Sequence, residues 1–202
     1  MSTVEQSPFH DQGERSRVKQ AKADAIIEAA AGLFAEQGYS GTTLDGVAAR
    51  LGITKPTLYY YFANKEEILI ACMSSAYESV VEHALVGAKN LSARDQLFTV
   101  AGAYLDVMMQ DTGRCLVRVS HLDLTPAGRA KMSGLKGKID AEIQKILASG
   151  MSDGTIRECD VRVTASAIGG VLNAVSFWKS SETNARRPEL REKFLAVIAT
   201  MI

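Results

Sequence analysis

The densest cluster of chemistry-bearing side chains is Lys55, Pro56, Thr57, Tyr59, Tyr60 and Tyr61, which holds three of the six tyrosines of the chain. An amine and several hydroxyls on one short exposed helix suit hydrogen bonds to phosphates and base edges, and Pro56 offers an apolar contact to a thymine methyl. That chemistry is nucleic-acid recognition. Tyr60 is as well suited to packing as to contact. Other constellations lead nowhere comparable. Cys115 and His121 are six residues apart, which on a helix directs them about 120° from each other, so they do not form a Cys–His nucleophile pair. The histidines His10, His83 and His121 lack metal-ligand spacing, and Cys72, Cys115 and Cys159 include no Cys-x-x-Cys pair. No catalytic residue, metal or cofactor is expected, nor a disulfide framework.

The cluster needs elements to hold it. Ile26, Ala30, Leu33, Phe34 and Gln37 recur at helical spacing ahead of Gly38, giving a first helix over about 18–37. Thr42 and Thr43 can cap a helix carrying Leu44, Val47, Ala48 and Leu51, which Gly52 closes. Thr54 can cap a third helix that accepts Pro56 in its first turn, and Asn64 a fourth that runs into the mid-eighties. Leu44, Val47, Leu51, Ile53 and Leu58 form the shared core of a helix-turn-helix, with Ala48 small at the crossing. Downstream, Ser92 with Asp95 starts a helix to about Gln110, and a short segment covers Gly113 to Leu122. Thr125-Pro126 opens a helix to about Gly150, Asp160 one to about Ser181, and Arg187-Pro188 the last. The fold class is all-α. A disordered tail (1–14), a helix-turn-helix head (15–65) and a larger helical domain (66–202) are the expected divisions.

The chain has 202 residues, with 47% apolar and 23% charged, ordinary for a soluble globular protein. The run from Arg162 to Lys179 is too short and too polar to span a bilayer, and no export signal is visible, so a cytoplasmic protein without membrane contact is expected. Formal net charge is zero, so DNA attraction must be local. Residues 15–65 hold seven Lys or Arg against four Asp or Glu, with Arg15, Arg17, Lys19 and Lys22 grouped in one arm.

Gly38-Tyr39, Gly41-Thr42-Thr43, Val47-Ala48, the run from Leu51 to Tyr59, Tyr61-Phe62 and Asn64-Lys65-Glu66-Glu67-Ile68-Leu69 resemble the signature of the tetracycline-repressor (TetR) family. The resemblance covers about 20–70 without a gap, and a looser one covers Gly150 to Trp178. It implies a ligand-responsive transcriptional regulator, most often a repressor, that binds palindromic operator DNA as a homodimer and is released by a small molecule. It also implies that Thr43 meets a backbone phosphate, that Lys55, Pro56, Thr57, Tyr59 and Tyr61 lie on the recognition helix, and that Lys65 contacts phosphate. Asp45-Gly46 stands where many relatives carry a basic residue next to an acidic one, which shifts base readout toward the third helix.

Behind the head, Tyr104, Met108, Arg118, His121, Asn173, Phe177 and Trp178 are candidates to line a pocket for a largely apolar effector. The row Ala165, Ile168, Leu172 and Val175, with Phe194, Val197 and Ile198, is the candidate dimer surface. Gly169, Gly170 and Ala174 fit a close approach by another backbone. A helical enzyme and a protein-interaction adaptor are the competing classes, which salt-dependent binding to a palindromic duplex would separate from a regulator.

Overall fold

The computed structural model describes residues 9–80, 88, 90–119, 123–178 and 186–202. Thr43 and Thr54 stand in extended backbone, and their hydroxyls accept from the N–H groups of Gly46 at 3.1 Å and Thr57 at 3.3 Å. These caps satisfy donors that the first helical turn leaves open. They start α2 (Leu44–Leu51) and α3 (Lys55–Tyr61) where the sequence places them. Gly52, at φ 64°, ends α2 in the left-handed region that favours glycine.

The first helix differs from expectation at one end. Helix α1 (Phe9–Gly41) is broken at Gly38, where φ is 79° and ψ 161°, as the glycine implies, but it begins nine residues before the expected start. Residues 9–14, read as part of a disordered tail, are helical. This stretch is exposed where described, so it shows no apolar periodicity, while Glu14, Arg15, Arg17, Lys19 and Gln20 are strong helix formers.

The rest comprises α4 (Lys65–Val80), α5 (Ala93–Met108), α6 (Asp111–Arg118), α7 (Pro126–Asp153), α8 (Val161–Ala174) and α9 (Arg187–Ala199). Ser92, Thr125 and Asp160 cap α5, α7 and α8 through their side chains. The expected end of α4 in the mid-eighties lies outside the described residues. Helix α7 passes through Gly150, which seats the Ile156 side chain, and stops instead at Gly154, whose φ of 78° is left-handed. Helix α8 stops at Ala174, short of Ser181, and tightens into a 3-10 turn, Val175–Phe177.

Ile26, Ala30, Phe34, Val47, Leu58 and Ile68 fill the head. Helix α5 packs against α4, α6, α7, α8 and α9, while α6 lies between it and α1. One apolar core runs unbroken from head to body. Helix α4 therefore belongs to both, meeting α1 on one side and α7 on the other. Among the described residues no helix is long and apolar enough to cross a membrane.

The turn from α5 into α6 depends on Gly113. A Cβ there would stand 2.4 Å from Met108 Cα and from Val107 O, backbone atoms that no rotamer change can move. Gly113→Ala should cost about 1–3 kcal/mol, lowering the melting temperature by about 2–4 °C for each of these. An unchanged thermal melt would show that the turn yields freely.

Candidate functional site

The reading helix presents most of its predicted side chains. Lys55, Pro56, Thr57 and Tyr59 are exposed on α3, and Thr43 at the start of α2, while Leu58 is buried beneath them. Lys55 Nζ donates to Asp45 Oδ2 at 2.8 Å, so a carboxylate of α2 holds the amine and raises its pKa. The Thr57 and Thr54 hydroxyls lie 2.8 Å apart, which makes Thr57 part of the cap as well.

The tyrosines divide differently from the sequence-based expectation. Tyr61 is half-buried against the core and meets Tyr60 edge-on with centroids 5.0 Å apart, whereas Tyr60 is 67% exposed. Lys19 Nζ lies 5.1 Å from the Tyr60 ring centroid, bringing the basic arm of α1 beside the reading helix. A shallow groove lined by Arg15, Lys19, Lys22, Tyr60 and Tyr61 connects them. Tyr60 is thus the exposed aromatic that residue spacing alone did not distinguish from a packed one.

Lys65 is turned inward. Its ammonium donates to Tyr39 O at 2.6 Å and Thr42 O at 2.9 Å and lies 4.3 Å from the Tyr39 ring centroid, so two of its three donors close the end of α1. Partial burial draws its pKa below the usual lysine value, while burial pushes the Tyr39 phenol up to about 12. A role confined to phosphate contact does not fit this placement. The next residue grips the body: Glu66 Oε1 accepts from Thr125 Oγ1 at 2.8 Å, at the start of α7. Gly128 makes that approach possible, since a Cβ there would fall on the Glu66 carboxylate. The first turn of α4 thus holds the head with one side chain and α7 with the next.

A cavity of about 320 Å³ lies among α4, α5, α7 and α8. Met73, Tyr77, Val107, Leu135, Ile139 and Ile143 are among its apolar lining, Val117 brings in α6, and Lys136 and Asp140 are its charged members. Of the predicted pocket residues, Tyr104, Met108 and Asn173 line it. Phe177 and Trp178 do not: they are 64% and 41% exposed, because the 3-10 turn after Ala174 swings them off the inner face of α8. His121 lies outside the described residues, as does the side chain of Arg118. Among the described residues no group of His, Cys, Asp and Glu could hold a metal ion.

The predicted dimer row is also displaced. Ala165, Ile168, Leu172 and Val175 are at most 1% exposed within a single chain, and Ile198 is fully buried, so they form core and not surface. Periodicity finds the apolar face of a helix but does not say whether that face is covered from within. Val163, Ala167 and Gly170 share the outward face of α8 at four-three spacing and are exposed, as are Phe177 in the 3-10 turn after it and Val197 of α9. Phe194 is half-buried with its ring centroid 5.9 Å from that of Trp178. A Cβ at Gly169 or Gly170 would meet nothing within 4 Å, and both line the cavity, so their smallness leaves space there.

Two of the three cysteines are shielded from solvent. Cys72 and Cys115 are buried, which pushes the Cys72 thiol up to about 12 and raises that of Cys115 as well. Iodoacetamide at pH 8 should alkylate Cys159, the half-buried one, well before the other two, as mass spectrometry of the native protein would show. Rapid modification of Cys72 or Cys115 would mean that the core opens.

A capped helix-turn-helix fused to a helical domain with an internal cavity defines a ligand-responsive DNA-binding regulator. The family model for bacterial regulatory proteins of the tetR family matches residues 26–72, and that for the tetracyclin repressor-like C-terminal domain matches 90–202. The chain belongs to the TetR family of transcriptional regulators, which are not enzymes. It is 30% identical to the fatty acid metabolism regulator protein of Bacillus subtilis, over 79% of this chain and 84% of that one. It is 40% identical to the negative transcriptional regulator IcaR of the biofilm operon icaADBC in Staphylococcus epidermidis, over 31% of this chain and 34% of that one. Among solved structures it is similar to AibR in complex with isovaleryl coenzyme A and operator DNA, with TM-score 0.68 and 25% identity, covering 78% and 86% of the two chains.

Proposed function

We propose that this chain is a homodimeric repressor released from a palindromic operator by an acyl-coenzyme A. The cavity carries this reading: its 320 Å³ is at the small end of ligand sites, enough for an acyl group but not for a nucleotide, and its wall is chiefly apolar. Lys136 at its edge and Lys138, whose Nζ is 5.5 Å from the ring centroid of cavity-lining Tyr77, would meet the anionic part outside. The similarity to a fatty acid metabolism regulator and to a protein seen with isovaleryl coenzyme A supports this effector class.

Two chains are needed because one reading helix covers too few base pairs, and two heads address half-sites about 34 Å apart or somewhat more. The outward α8 face, continued by Val197, is the surface for the second copy. Lys55, Thr57 and Tyr59 read bases, Thr43 and the basic arm meet phosphates, and Tyr60 joins them at the arm. An acyl group entering between α4 and α7 loads the helix whose first turn holds both the end of α1 and the start of α7. The preferred head spacing then shifts to one that fits DNA less well, with a coupling of about 1–3 kcal/mol.

The test is a salt series of binding to duplexes selected from a random pool. A palindromic site should emerge, bound by two chains, with log affinity falling steeply against log salt, and an acyl-coenzyme A should weaken it. Selection of no site, or release unaffected by every acyl-coenzyme A, would reject the proposal.

A further inference from the structure

The cavity wall is apolar apart from its edge and one internal feature. Tyr104 Oη donates to Asn173 Oδ1 at 2.9 Å, joining α5 to α8 across the cavity lining. In this arrangement the phenol is the donor and the amide oxygen the acceptor. With the oxygen taken by the phenol, the Asn173 Nδ2 keeps two N–H donors at the cavity lining. A ligand acceptor placed there would be matched by a donor that the apolar side chains around it cannot supply. Tyr104 is tied to the pair, and burial pushes its pKa up to about 12, which marks the surroundings as hostile to charge.

The group that fits is a neutral hydrogen-bond acceptor embedded in an apolar ligand. An acyl thioester has one such group, its carbonyl oxygen, between the hydrocarbon chain and the sulfur. We propose that the Asn173 amide, oriented by Tyr104, recognises the acyl carbonyl of the effector and so distinguishes a thioester from an alkyl chain of the same length. This rests on the acyl-coenzyme A reading above and adds a specificity-determining pair to it. It assigns Tyr104 a positioning role, since its own hydroxyl proton is committed to Asn173.

The experiment compares binding of butyryl-, octanoyl- and palmitoyl-coenzyme A to the full chain, then matches the tightest of them against the S-alkyl thioether of equal length. The thioether has no carbonyl and is otherwise nearly the same shape. The wild-type protein should prefer the thioester by about 10- to 100-fold. Asn173→Leu should abolish that preference while still binding the thioether, and Tyr104→Phe should reduce it by freeing the amide. If Asn173→Leu does not fold, the wild-type ratio and the Tyr104→Phe ratio decide. Equal affinity of wild-type protein for thioester and thioether would overturn the carbonyl assignment and leave the effector class standing. Binding of none of the three acyl-coenzymes would overturn both.

Discussion

If two copies pair as proposed, Ala167→Arg should yield folded monomers and lower operator affinity by about 10²- to 10⁴-fold, the range that linking two binding modules typically contributes. Ala167 is exposed at the centre of the outward α8 face, and arginine is nearly as good a helix former, so the isolated chain loses nothing by the change. A second copy would have to bury two guanidinium groups against Val163 and Gly170. Leu172→Asp offers the contrast. It places a carboxylate at a fully buried position, so it should unfold the protein instead of dissociating it. Sedimentation and circular dichroism separate the outcomes. A dimeric, fully active Ala167→Arg variant would show that the two copies meet elsewhere.

Lys55→Ala should reduce affinity for the specific duplex by about two to four orders of magnitude and leave random duplexes nearly unaffected. A well-placed base contact is worth about 1–3 kcal/mol, and a dimer loses it twice. Lys55 reaches DNA only by leaving or sharing the Asp45 carboxylate at 2.8 Å, so Asp45→Asn should weaken discrimination among sites by releasing the amine from its fixed direction. Lys65→Ala should behave otherwise. Removing an ammonium that closes two carbonyls at the end of α1 should lower thermal stability and weaken specific and random duplexes together. Its salt slope should fall by about 1.8, one phosphate contact in each of two copies, if the third donor meets a phosphate. A Lys55→Ala variant that loses specific and random binding equally would remove Lys55 from base readout.

The head was legible because its signals are local. Thr43, Thr54, Gly38 and Gly52 act within a few residues of themselves, through a hydroxyl on an N–H or a backbone angle that glycine tolerates, and each stands where the sequence put it. The early start of α1 was not legible, since an exposed helix leaves no apolar imprint. Nor was the direction of Lys65, whose partners Tyr39 and Thr42 come into reach only when α1 and α4 fold together. In α8 the apolar period was correct and its assignment to a surface was not. The large residues of that helix, Ile168 and Leu172, are buried in its own chain, Ala167 is exposed, and Gly169 and Gly170 line the cavity, a division that only the tertiary packing reveals. Tyr104, Met108 and Asn173 were found because they point inward at regular spacing, while Phe177 and Trp178 were misplaced by three residues of 3-10 turn.

Reciprocity between the two sites tests the central claim most directly. The affinity of the free protein for its tightest acyl-coenzyme A, and that of the operator-bound protein for the same ligand, can be measured by titration calorimetry. The operator affinity with and without ligand follows from fluorescence anisotropy. The account predicts that ligand weakens operator binding by about 5- to 150-fold and that operator weakens ligand binding by the same factor, since both are one coupling free energy. Ligand affinity identical in the free and operator-bound protein would contradict it.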